Sequence, residues 1–148
     1  MTAITPCLTV SDVDAALKFY ETVFGLTRKM AMPGPDGKTM HAELLHGGSV
    51  IMLGAVSEQC GNGVPDAKAK PAFSLYLFVE NVDELHATAV KGGCTSQHAP
   101  ADMPWGARMC SLVDPFGHHW SFGTHIRVVS DEECKAAIDE MMKQKAHA

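Results

Sequence analysis

The sequence predicts an α+β protein: two tandem β-α-β-β-β modules forming a curved mixed sheet around a cleft, with an added C-terminal helix. Three observations predict it. A strand-like run, a capped amphipathic helix, a glycine stop and hairpin-joined strands occur in that order twice. The two helix starts match, Val10-Ser11-Asp12-Val13-Asp14 against Val79-Glu80-Asn81-Val82-Asp83, and Gly25-Leu26-Thr27 matches Gly93-Cys94-Thr95 at nearly the same offset. Between the repeats, residues 56–71 are rich in Gly, Pro, Asp, Ala and Lys without periodicity, the composition of an exposed connector.

In the first module, residues 4–55, Ile4 to Val10 alternate as a strand, and Ser11 or Asp12 caps a helix with its apolar face at Val13, Ala16, Leu17, Tyr20, Val23 and Phe24. Gly25 stands where a glycine ends a helix. Strands follow at Thr27–Met32, Thr39–Leu45 and Val50–Ala55, divided by Pro33-Gly34-Pro35-Asp36-Gly37 and Gly47-Gly48. The second module, residues 72–125, starts with a strand over Ala72–Val79. A helix over Val82–Val90 follows, opened by Asn81 with Glu84 three residues on. Three further strand candidates come next. Within the first of them, Pro100, Pro104 and Gly106 predict that Thr95–Gly106 is a loop rather than a smooth strand, with Trp105 on its mobile wall. The repeats and connector make one domain over residues 1–128. In residues 129–148, Ser130 and Glu133 open a helix with an apolar stripe of Cys134, Ala137, Ile138, Met141 and Met142, which either docks on the domain or contacts a second copy.

The densest chemistry flanks Asp114-Pro115-Phe116-Gly117, which reads as a hairpin turn between strands Ala107–Val113 and His118–Ile126. Proline presets one turn dihedral, glycine supplies positive φ, and the aspartate can accept from the turn's own amides. If alternation holds, Pro6, Leu8, Val10, Leu75, Leu77, Val79, Trp120 and Phe122 face the helices. Thr5, Cys7, Thr9, Ser74, Tyr76, Phe78, His119 and Ser121 then share the other face. That face either lines a cleft for a planar or amphipathic ligand or fills a closed interior. Arg108 either binds an anionic group or pairs with Asp114 or another carboxylate near the turn. Trp105 either caps the cleft by stacking or anchors the hairpin. The candidate ligand-binding set is Thr5, Cys7, His41, Ser74, Tyr76, Phe78, Trp105, Arg108, His119 and Ser121.

Composition narrows the partners. A net charge of −5 without a lysine or arginine cluster argues against nucleic acid. No apolar run approaches the about 20 residues of a membrane span. Residues 1–10 lack a signal peptide's basic start and long apolar core, so a cytoplasmic location is expected. Five cysteines, odd in number and without Cys-x-x-Cys or zinc spacing, are expected as free thiols. No nucleophile elbow, phosphate loop or dinucleotide fingerprint is present.

The tandem modules, the Val-x-Asp helix start and Asp-Pro-x-Gly before the last strand resemble the vicinal oxygen chelate superfamily of glyoxalases, bleomycin-resistance proteins and dioxygenases. The resemblance covers roughly Ile4 to His125. Thr5-Pro6-Cys7-Leu8-Thr9-Val10, Met40-His41-Ala42-Glu43-Leu44, Trp105-Gly106-Ala107-Arg108 and Asp114 through Ser121 are most similar to its PhnB-like branch. The resemblance implies a homodimer, and in the enzymes a divalent metal held by first and last strands. By motif those positions fall at Thr5, Ser74, Ser121 and near Met52 to Gly54, none of them His, Glu or Asp. Hydroxyls are weak ligands, so the expectation is a protein without a cofactor that binds a small aromatic or amphipathic molecule. The alternative is a metal-dependent lyase, isomerase or dioxygenase with Fe, Mn, Ni or Zn on a displaced set drawn from His41, Glu43, His119 and His125, of which His41, Glu43 and His119 form the leading trio.

Overall fold

A computed structural model describes residues 4–146. The first module runs β1 (Cys7–Val10), α1 (Val13–Thr22), β2 (Thr27–Pro33), β3 (Thr39–His46), β4 (Ser49–Ala55). The second runs β5 (Leu75–Phe78), α2 (Val82–Lys91), β6 (Thr95–Asp102), β7 (Ala107–Val113), β8 (His119–His125), and α3 (Asp131–Ala146) follows. Each module forms a four-stranded sheet of the same topology, β1-β4-β3-β2 and β5-β8-β7-β6, in which only the first listed pair is parallel. The predicted repeat is therefore present element for element.

Local chemistry sets the helix ends. The Asp12 carboxylate accepts from Ala15 N at 2.9 Å, and Asn81 Oδ1 accepts from Asp83 N and Glu84 N at 3.1 Å each, so both helices begin on a side-chain oxygen. Gly25 takes φ 68°, which lets Leu26 N–H return to the Tyr20 carbonyl and close the first helix. Alternation holds along the inner strands. Leu8, Val10, Ala42, Leu44, Leu53, Leu112, Trp120 and Phe122 are within 1% of full burial, and they meet the helices in one core shared by both modules.

The modules meet through aromatic rings and one carboxylate. On α1 and its end, Tyr20 and Phe24 pack against Trp120 at 5.4 and 5.0 Å between ring centroids, and Phe24 against Phe122 at 4.9 Å. Such pairs add about 0.5–1.5 kcal/mol each beyond their area. Asp114, 4% exposed, accepts from Phe116 N and His118 N on Oδ1 at 2.8 and 2.9 Å. Its Oδ2 accepts from Tyr20 Oη at 2.6 Å and Trp120 Nε1 at 2.7 Å. One carboxylate thus closes its own turn and ties it to the helix of the other module.

Two expectations are corrected. Thr95–Asp102 is a strand and not a loop. It lies at the sheet edge, where a proline's missing N–H costs no ladder bond, and its pairing with β7 slips between Ser96 and His98 and again between His98 and Ala101. Only residues 103–106 turn, held by Gly106 N to Met103 O at 3.1 Å, so Trp105 stands on a tight turn rather than a long mobile wall. The stripe of α3 does not dock on the body: none of its described residues is buried, and the helix is held at its start by Ser130 Oγ, accepting from Glu133 N, and by the 2.7 Å Arg127–Glu133 ion pair.

The Asp114 contacts predict that Tyr20→Phe, which keeps the ring and removes only the hydroxyl, lowers unfolding free energy by about 1.5–3 kcal/mol, the range for a hydrogen bond to a charged group. Urea denaturation checks this. Asp114→Ala should cost more, because it strands two side-chain donors and two turn amides.

Candidate functional site

The face of each sheet turned away from the helices carries the side chains that alternation assigned to it. On the second sheet Tyr76 and Phe78 are 43% and 46% exposed and meet edge to face at 5.1 Å, while Phe78 stacks on His125 at 4.1 Å. Ser121 is the cross-strand neighbour of both Tyr76 and Ser111, whose hydroxyl bonds His98 Nδ1 at 2.8 Å. Beside them Gly123 has no room for a Cβ, which would collide with the Tyr76 hydroxyl. The glycine is what lets the tyrosine lie flat along β8.

Where the edge strands β1 and β5 approach one another, bonds to backbone carbonyls bridge the modules. His118 Nε2 donates to Thr9 O and His46 Nε2 to Phe78 O, each at 2.9 Å. Over β1 and the starts of β5 and β8 lies a cavity of about 330 Å³. Cys7, Thr9, His118 and His119 form its floor, and Pro65, Asp66, Lys70 and Phe73 its outer wall. The connector is therefore part of the site. Sequence reasoning missed this wall, because an aperiodic exposed segment carries no local signal of what it folds over; Phe73, expected in the strand Ala72–Val79, instead precedes β5 and is exposed. A more open groove lies at the other end of β5, lined by His46, Phe78, Glu84 and His125 among others.

The candidate residues divide. Cys7 and His119 line the cavity. Thr5 and Ser74 lie just outside β1 and β5 and are exposed. Tyr76, Phe78 and Ser121 lie on the open face of the same sheet, further along. Trp105 lines none of the cavities described. Arg108 faces the other way: in register with Thr124 on the helix side, it forks onto Asp83 of α2 at 2.8 and 2.9 Å and reaches Asp102 at 2.8 Å. It is a brace between helix and sheet. Its hydrogen bonds raise the guanidinium further above its ordinary range and hold the Asp83 carboxyl below its own.

The displaced metal set is not assembled. His41 and Glu43 are neighbours on β3, 3.8 Å apart, but Glu43 is held by Lys29 at 2.5 Å, which keeps its carboxyl below the ordinary value. His119 belongs to the other sheet. Among the described residues no three His, Cys, Asp or Glu side chains converge in ligating geometry. The hydroxyls at Thr5, Ser74 and Ser121 do not fit a divalent ion either.

Two β-α-β-β-β modules side by side, with candidate side chains on the faces away from the helices, define a protein of the vicinal oxygen chelate type. The sequence model of the Glyoxalase/Bleomycin resistance protein/Dioxygenase superfamily matches residues 3–122, and the chain belongs to that superfamily. It is 37% identical over 139 residues to the uncharacterized protein Mb0911c of Mycobacterium bovis, covering 92% of this chain and 91% of that one. Among solved structures it is similar to TioX from Micromonospora sp. ML1, with 26% identity, a TM-score of 0.65, and 84% of this chain and 99% of that chain covered. A superfamily enzyme from Burkholderia phytofirmans PsJN shares the fold at 21% identity and a TM-score of 0.67, over 82% and 96% of the two chains.

The thiols separate by environment. Burial, followed by the charge of Asp114, pushes Cys94 up to about 12, and burial pushes Cys110 up to about 11. Burial and then Asp114 raise the Tyr20 phenol as well. A group whose pKa is raised on folding keeps its proton longer in the folded chain. Its stabilisation is therefore complete below the ordinary value of 9.0 for the thiols and is lost as pH rises toward 11 and 12. Stability should fall steadily above about pH 9. At pH 8, mass spectrometry after iodoacetamide treatment should find exposed Cys7 and Cys60 alkylated, and Cys94 and Cys110 unmodified.

Proposed function

We propose that this chain is a small-molecule binding protein that works without a bound metal and holds an aromatic or amphipathic ligand between the connector and the open faces of β1, β5 and β8. One observation carries the reading: the positions that the superfamily's fold offers to a metal hold Thr5, Ser74 and Ser121, while a partly open cavity and solvent-facing aromatic rings lie beside them. Rings exposed on a rigid sheet supply contact area at low ordering cost, and a few donors fix orientation. Within the superfamily we place the chain nearest the PhnB-like branch, as a cytoplasmic homodimer. The uncovered rings of Tyr76 and Phe78 and the undocked α3 stripe give a second copy apolar surface to bury.

The competing reading is a metal-dependent lyase, isomerase or dioxygenase, and the His41–Glu43 pair is its best support. Elemental analysis of protein purified without chelator should find no stoichiometric Fe, Mn, Ni or Zn, and none of these ions should raise the melting temperature. Tight stoichiometric metal that is lost in His41→Ala would overturn the proposal. A light-scattering mass of a single 15.9 kDa chain would remove the dimer from it.

A further inference from the structure

The cavity under the connector has a charge character that no family position accounts for. Its floor carries no carboxylate, lysine or arginine. The Cys7 thiol is free, and the imidazole of His119 has no hydrogen-bond partner among the described residues. On the wall, the Lys70 ammonium is likewise without a carboxylate partner among the described residues, and it is the only lysine or arginine that lines the cavity. The one acidic wall residue, Asp66, is turned to its own backbone, with Oδ1 accepting from Lys68 N at 2.8 Å. Phe73, 65% exposed and without a ring partner, stands beside Lys70 at the mouth.

Taking the binding reading above as its basis, we infer that the cavity selects an aromatic anion, with the ring against Phe73 and the acid group on the Lys70 ammonium and the His119 imidazole. The volume of about 330 Å³ lies at the small end of ligand pockets and suits one or two fused rings rather than an extended molecule. A cation would be repelled by Lys70, and the wall's one carboxylate, Asp66, already gives Oδ1 to the Lys68 amide. A neutral ring would gain the Phe73 contact but leave the ammonium unanswered. Anion recognition is therefore what the arrangement adds to generic apolar binding.

Titration calorimetry of the full-length protein with 2-naphthoate, 2-naphthamide and 2-naphthylmethylammonium, which share a ring and differ in charge, tests this. Naphthoate should bind about five- to tenfold more tightly than the amide, the scale of one charge-assisted contact at a partly open site. Lys70→Met, on an exposed segment, should bring naphthoate down to the affinity that the same variant shows for the amide. Equal binding of amide and naphthoate, tighter binding of the ammonium compound, or a naphthoate preference that survives Lys70→Met overturns the anion assignment while small-molecule binding stands. Failure of all three to bind overturns both readings.

Discussion

The seating of the first module's helix on the second module's sheet runs through the Asp114 carboxylate. A buried carboxylate is costly unless its oxygens are fully occupied, and here four donors converge on it, two from its own turn and one each from Tyr20 and Trp120. The turn bonds set the hairpin between β7 and β8. The Tyr20 bond reaches 94 residues back to α1, so the first module's helix is seated against the second module's sheet. No described buried side-chain polar atom lacks a partner, which is the condition for such a network to specify one arrangement.

With α1 seated, β1 and the start of β8 come close enough for His118 to donate to the Thr9 carbonyl, and the cavity floor is completed from both modules. The floor therefore rests on the shared core, which reaches the cavity at Leu8. Its outer wall is built from a segment with little regular structure, where Ser57 and Asn62 form one isolated bridge. A firm sheet beneath and an adaptable wall above is an arrangement in which loop residues such as Lys70 and Phe73 set specificity while the fold is unaffected by changing them.

What was legible in the sequence follows the range of each signal. Period-two alternation placed Leu8, Val10, Leu77, Trp120 and Phe122 toward the helices, and all five are buried there. Caps at Asp12, Asn81 and Ser130 act over three residues and were equally readable. The Asp114 turn was visible, but its grip on Tyr20 was not, since nothing local joins two positions so far apart. Thr95–Asp102 runs against the usual meaning of proline as a breaker, because an edge strand tolerates it. Arg108 was counted with the cleft although its parity with Cys110 and Leu112 puts it on the helix side, where Asp83 waits. The cavity wall has almost no local signature, because it depends on how an exposed connector folds back.

The Asp114 network pins the two modules into one cooperative body. Native-state hydrogen exchange across a denaturant series reads this directly, since it resolves whether strands open together or in separate units. Slow amides of β3 and β4 and of β7 and β8 should converge on one opening free energy, equal to that of global unfolding. Two distinct plateaus, with one module's strands opening while the other's stay protected, would contradict it.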